Sequence, residues 1–107
     1  MSKRKKEIRR KFRNAVFKRD RHTCRVCDQR FAEDELDAHH ITDRNLMPNG
    51  GYVLQNGITV CLPCHERVEE WHRSGNTSVE EGLHPNDLYE IIGSSYEEAV
   101  ESSKKIR

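Results

Sequence analysis

Gly57-Ile58-Thr59-Val60-Cys61-Leu62-Pro63-Cys64-His65 decides the fold, because a strand, a helix start and half of a metal-ligand set follow one another without a gap. Ile58, Thr59 and Val60 are β-branched and favour a short pleated strand over Gly57–Cys61. Leu62-Pro63 then opens a helix, since proline is well tolerated in a first turn where no N–H is needed. The helical pattern runs to about Ser74, and Gly75-Asn76 stops it. Cys61 and Cys64 flank that strand-to-helix junction, and Cys24-Arg25-Val26-Cys27 repeats their spacing. Two intervening residues let a tight turn aim both thiolates at one point, and two such knuckles complete a tetrahedron around zinc. Four protein ligands leave no open position, so this zinc is structural and its binding energy contributes to folding. A thioredoxin-like redox pair needs one such motif beside a βαβ pattern, which is absent. Two disulfides or inert buried thiols are the remaining readings of the cysteines.

Such a staple answers a need set by composition. The 107 residues are 34% hydrophobic and 35% charged, a lean supply for the core of one small domain. The net charge of +1 conceals an asymmetry: residues 1–30 carry thirteen Lys/Arg against three acids, and the remainder six against fifteen. A basic arm of that kind suits polyphosphate. Lys5, Arg9, Arg10, Arg13, Lys18 and Arg19 are its candidate phosphate contacts. No stretch reaches the length of a membrane span. The charged start lacks the apolar segment of a secretory signal, so a reducing, cytoplasmic setting is expected, where Cys-x-x-Cys pairs more often hold metal.

Outward from the central stretch, residues 5–20 read as an amphipathic helix with Ile8, Phe12 and Val16 at four-residue spacing and Ala15 beside them. Leu36-Asp37-Ala38-His39-His40-Ile41 reads as a first short strand, and Pro48-Asn49-Gly50-Gly51 as a turn. Residues 76–107 form an acidic appendix with two short helices expected. Ser78/Glu81 and Ser95/Glu98 stand at capping-box spacing there, and Leu88, Ile91 and Ile92 make an apolar stripe. Together these elements predict a small α+β domain: a basic N-terminal arm (1–22), a core of two strands and a helix with the four-cysteine zinc site (23–75) and an acidic C-terminal appendix (76–107).

His39 and His40 are adjacent on a predicted strand, where neighbours point to opposite faces. One imidazole can therefore take a metal while the other approaches a substrate from the side. His65 follows Cys64, so the knuckle that fixes Cys64 also brings His65 close to the strand. Taken singly, these residues have plainer readings: a mixed zinc site for His39 and His40, a packed helix-terminal His65, and an ordinary Asn-Gly turn at Asn56-Gly57. Glu69, one turn after His65, reads first as a solvated acid that could also support a metal. Val68, Trp71 and His72 read as a packed face, and His22 and His84 have no assigned role.

The ordered combination resembles the HNH nuclease family. Its elements are Phe17-Lys18-Arg19-Asp20 before Cys24-x-x-Cys27, Asp37-Ala38-His39-His40-Ile41, Asn49-Gly50-Gly51, Asn56, and Cys61-x-x-Cys64-His65, spanning about residues 15–73. The resemblance implies His40 as general base, His39 and His65 as ligands of a catalytic metal, and Asn56 as the central asparagine that braces the loop. It also implies DNA as substrate and products with 3′-hydroxyl and 5′-phosphate ends. Many family members carry aspartate at the position of His39, and an imidazole-rich site suits Zn²⁺, Ni²⁺ or Mn²⁺ better than Mg²⁺. The runner-up is a non-catalytic zinc module that binds DNA, or an accessory part of a larger DNA-processing complex. Such a module would have no use for the histidines and Asn56 together. A homodimer is equally compatible with the sequence, which reveals no target site.

Overall fold

The computed structural model describes residues 3–106. Helix α1 (Lys3–Arg19) leads through the first cysteine knuckle to strand β1 (Leu36–His40). Three short 3₁₀ turns then precede strand β2 (Gly57–Cys61), and helix α2 (Leu62–Arg73) follows without a break. Helices α3 (Pro85–Ile91) and α4 (Tyr96–Lys104) complete the chain. The architecture is α+β, with one two-stranded antiparallel sheet in which Leu36 faces Cys61, His39 faces Ile58 and His40 faces Gly57. Among the described residues no helix is long and apolar enough to cross a membrane.

Every residue of β2 is buried, although a two-stranded sheet leaves one edge of each strand unpaired. Buried backbone groups need partners, and side chains supply them here. The Thr59 N–H donates to Asp20 Oδ2 at 3.0 Å, and the Arg25 N–H donates to the Thr59 carbonyl at 2.9 Å. Arg19 donates to the Gly57 and Leu54 carbonyls at 2.6 and 2.7 Å, and also to both carboxylate oxygens of Asp20. Arg25 donates to Asp20 as well, at 2.8 Å. Asp20 is thus the pin that fastens α1 and the first knuckle to the open edge of β2. Burial would raise its pKa, but the Arg19 guanidinium and Thr59 together more than offset this and hold it below the ordinary 3.8. Arg19 is correspondingly drawn out of the phosphate-facing set, because its donors are engaged within the fold.

Helix α1 packs its predicted stripe against the hairpin, with Phe12, Val16 and Phe17 buried. Gly57 makes this approach possible: a Cβ there would lie 2.5 Å from Val16 Cγ2 and 2.8 Å from Phe12 Cζ. Leu83, Leu88, Tyr89 and Ala99 from the acidic C-terminal segment join Phe17, Ile41, Ile58, Val60 and Val68 in the same core. The basic and acidic segments thereby both bury apolar residues in one interior.

Two expectations for the C-terminal segment are corrected. Ser78 caps no helix, because α3 starts at Pro85. His84 is its cap: its Nδ1 accepts from the Asn86 N–H at 3.0 Å, and Asp87 accepts from the His84 N–H at 3.1 Å. Ile91 is exposed, and Leu88 with Tyr89 supplies the buried face instead. Ser95 does cap α4, accepting from the Glu98 N–H at 3.1 Å.

Candidate active site and metal centres

The four cysteine sulfurs all lie within 4.8 Å of one another, and none forms a disulfide. Sulfurs bound at ~2.3 Å to a tetrahedral zinc stand about 3.8 Å apart, and Cys27 Sγ lies 3.9 Å from Cys61 Sγ. The knuckle is held by backbone bonds, with Cys24 N–H donating to the Gln29 carbonyl and Asp28 N–H to the Cys24 carbonyl, each at 2.8 Å. Burial and the neighbouring Cys61 and Cys24 sulfurs push the Cys64 thiol up to about 12. Four thiolates so close repel one another unless a cation lies between them, and the donor set fits zinc.

A second cluster lies between β1 and α2. Metal-competent atoms of His39, His65 and Glu69 fall within 4.8 Å of one another. Glu69 Oε2 is 3.3 Å from His39 Nδ1 and 3.3 Å from His65 Nε2. Donors held at ~2.0–2.1 Å by one tetrahedral ion would be separated by about 3.3–3.4 Å, so the spacing suits a shared ion. The other nitrogen of His65, Nδ1, lies 3.3 Å from Asp37 Oδ2, the carboxylate–imidazole pairing that fixes ring orientation at metal sites. His39 is almost wholly buried, and burial with the adjacent His72 and His65 lowers its pKa. Contact with His39 holds Glu69 at about 2 despite its partial burial. A neutral imidazole beside an ionised carboxylate is the protonation state that binds metal.

His40 faces the other way, as the strand period requires. Its ring stacks on Phe12 at 4.5 Å and meets Tyr52 edge-on at 4.8 Å. Its Nε2 is buried and has no hydrogen-bond partner among the described residues. Burial, reinforced by His39 and Arg44, pushes its pKa down to about 4. A cleft of about 420 Å³ is lined by His39, His40, His65 and Glu69 together with Asp43 and Arg44. A neighbouring cleft of about 270 Å³ is lined by Arg9, Arg13, Arg44, Phe12 and Tyr52. Asp37, Ala38, His40 and Arg44 line both, so His40 stands in the partition between the two clefts.

Asn56 lines neither cleft. It is fully buried, and its amide satisfies four bonds: Oδ1 accepts from the Thr42 N–H at 2.9 Å and from Tyr89 Oη at 2.7 Å, while Nδ2 donates to the Thr42 and Gly51 carbonyls at 3.1 and 3.2 Å. These bonds clamp the end of β1 to the 48–51 turn, where Asn49, Gly50 and Gly51 all have positive φ. A Cβ at Gly51 would meet Asn56 Nδ2 at 2.7 Å, which explains the glycine.

Several residues escape a reading of the sequence. Glu69 reads first as a solvated acid, yet it stands between two imidazoles. Its i,i+4 relation to His65 was the available signal. Asp37 shares a strand face with His39 by period two, and that parity is its signal. Arg44, in a polar turn, carries none. His72, placed on a packed face, stacks on His39 at 5.1 Å and sets Nε2 2.9 Å from the His40 carbonyl. Trp71 is only partly buried and packs edge-on against His84 at 4.5 Å, outside the core. On the basic helix, Arg9 and Arg13 line the second cleft. Lys5 lies with Arg9 and Arg44 along a further groove, Arg10 pairs with Glu7 at 3.6 Å, and Lys18 is exposed.

An antiparallel hairpin backed by a helix, with an imidazole–carboxylate cluster between strand and helix and a cysteine tetrad at one end, defines the ββα-metal class of fold. A model of the HNH endonuclease family matches residues 24–80, more than half of the chain, and the protein belongs to that family. No curated protein and no solved structure matches it. Helices α1, α3 and α4 lie outside the matched segment.

Proposed function

We propose that the chain is a metal-dependent endonuclease hydrolysing DNA phosphodiester bonds, with His40 as general base. In this reading His39, His65 and Glu69 hold a divalent cation and the four cysteines hold a structural zinc. The observation that carries it is the division across β1: His39, His65 and Glu69 converge on one side, and His40 faces the other from the same cleft wall. A divalent cation on the first group would neutralise charge developing on the phosphate and the departing oxygen. Two imidazoles and one carboxylate favour Mn²⁺, Zn²⁺ or Ni²⁺ over Mg²⁺.

The residues supply the rest. His40 is neutral at physiological pH because of its burial, so it can accept a proton. An arriving phosphodiester brings negative charge close to the ring, which raises its proton affinity when the base is needed. Water gives its proton to His40 as its oxygen attacks phosphorus, the bond to the 3′-oxygen breaks, and that oxygen takes a proton from solvent water to leave as a 3′-hydroxyl. Arg9, Arg13 and Arg44 line the adjacent cleft and hold flanking phosphates. Asp37 orients His65, and Asn56 keeps the end of β1 in register with the turn.

Nicking of supercoiled plasmid across Mg²⁺, Mn²⁺, Ni²⁺ and Zn²⁺ tests the reading. His40→Ala should slow cleavage by about 10²–10⁴-fold, the range for loss of a general base, with zinc content and DNA affinity retained. An unslowed His40→Ala protein removes His40 from the role. DNA binding without cleavage in any of these metals would favour the non-catalytic module.

A further inference from the structure

The catalytic cleft continues past Asp43 and His72 into a second groove, of about 340 Å³, that the endonuclease reading leaves without a task. Trp71, His84 and Tyr96 line it, with Leu46 at its mouth. Leu46 is 55% and Tyr96 45% exposed. The two ends of the cleft differ in charge. The α1 end holds Arg9, Arg13 and Arg44, whereas among the described residues no lysine or arginine lines the aromatic groove and Asp43 does. A phosphate backbone gains nothing from such a surface. A nucleobase does, since every base presents an uncharged π face and stacks on aromatic side chains regardless of sequence. Asp43 and Asn76 add polar atoms at the rim, suited to the hydrogen-bonding edge of a base that has lost its pairing partner.

We propose that this groove is a subsite for an unpaired nucleobase adjoining the scissile phosphate, so that DNA frayed or single-stranded beside the cut is the preferred substrate. The substrate would lie with its duplex phosphates along the arginines of the α1 end and its unpaired side over Trp71 and Tyr96. The proposal rests on the endonuclease reading of the cleft, but it can be read out by binding alone.

Trp71 is the only tryptophan, so its fluorescence reports the groove. Zinc-loaded protein without added catalytic metal is titrated with a single-stranded oligothymidylate and, separately, with a blunt hairpin duplex. Saturable quenching by the single strand, with a much weaker response to the blunt duplex, is expected. Tyr96→Ala and Leu46→Ser, two changes at exposed positions, should weaken single-strand affinity, Tyr96→Ala by about fivefold or more given the worth of one base–aromatic stack. In cleavage with Mn²⁺, a forked duplex should be cut faster than a blunt one, and Tyr96→Ala should narrow that ratio. Single-strand binding that leaves Trp71 unperturbed and is unaffected by both substitutions overturns the subsite. So does a groove covered by a second copy, seen as a dimer that Tyr96→Ala dissociates and DNA does not. Quenching by single strands with no cleavage of any DNA would sink the endonuclease reading and leave the subsite standing.

Discussion

The cysteine cluster and the imidazole–carboxylate cluster sit toward opposite ends of the same hairpin, and each gathers its ligand atoms within 4.8 Å. Their surroundings differ. Among the described residues the sulfurs come as two pairs with no fifth metal-ligating group beside them, three of them buried, and none lines the cleft of His39 and His65. Among the described residues His39, His65 and Glu69 offer three donors, and all line that cleft. A closed ligand set ties distant chain segments together, and an incomplete one leaves coordination positions for water and substrate. On the proposed reading the same physical device would serve folding at one end and chemistry at the other, with ligand number and exposure separating the two uses.

The largest effect that would break this contrast is at the closed end. Cys61→Ala should abolish cooperative folding, because apparent zinc-binding energies of about 10–16 kcal/mol are folding energy in small domains. Loss of the thermal transition and of bound zinc is the expected result, whereas His65→Ala should keep both. If the Cys61 variant melts like the wild type, the closed cluster is not what holds the fold.

A smaller effect belongs to the frame around the closed cluster. Asp20 is inaccessible at its side chain, and it links Arg19, Arg25 and the open edge of β2. Asp20→Asn should cost about 3–5 kcal/mol, as for other buried pairs broken on one side. The sign of its pH dependence follows from the lowered pKa. The contribution is fully present above the unfolded value near 3.8 and is lost as pH falls through the folded value below it. Melting temperatures followed from neutral pH into the acid range below the unfolded value should fall steeply at the acid end for the wild type and more gently for Asp20→Asn. Parallel curves would show that another carboxylate governs acid unfolding.

At the open end the expected change lies in metal affinity and leaves folding intact. Glu69→Gln should weaken divalent-metal binding by at least about 10–100-fold, the range for groups one step outside the ligand set, because Glu69 is itself a ligand on the proposed reading, and zinc at the cysteines should be unchanged. Calorimetric titration of Mn²⁺ into zinc-loaded protein distinguishes the two ends directly. Equal affinity in the Gln variant would return Glu69 to the solvated acid that its helical position suggests.

That reversal at Glu69 marks where sequence reading stops. Spacing along the chain made the cysteine pairs, both strands, the α2 boundaries and the histidine doublet legible, because each depends on neighbours a few residues apart. Asn56 was legible through its place in the family pattern. What escaped depends on contacts between distant segments. Arg19 reads as one more base of a basic arm until its donors are seen on Asp20 and two β2-side carbonyls. Trp71 reads as part of a packed face with Val68 and His72, and only packing places it beside a groove. Ser78 has the spacing of a cap, but the helix it would cap is displaced to Pro85.

Tyr89 is the finest instance, because it ties a segment outside the family match to the centre of the hairpin. Its hydroxyl donates to Asn56 Oδ1 at 2.7 Å, leaving its oxygen to accept from Thr42 Oγ1 at 2.6 Å. Burial pushes the phenol up to about 12, so it stays protonated and keeps donating. Tyr89→Phe removes that donor while preserving the ring, and Asn56 Oδ1 then accepts from the Thr42 N–H alone. The expected loss of stability is about 1 kcal/mol, the net worth of one such bond. Cleavage should fall by more than folding alone explains if the clamp also sets the end of β1 where His39 and His40 stand. Measuring kcat and KM at a temperature where both proteins are fully folded separates the outcomes: a lowered kcat at unchanged KM makes Tyr89 a positioning residue, and unchanged kcat confines it to the core.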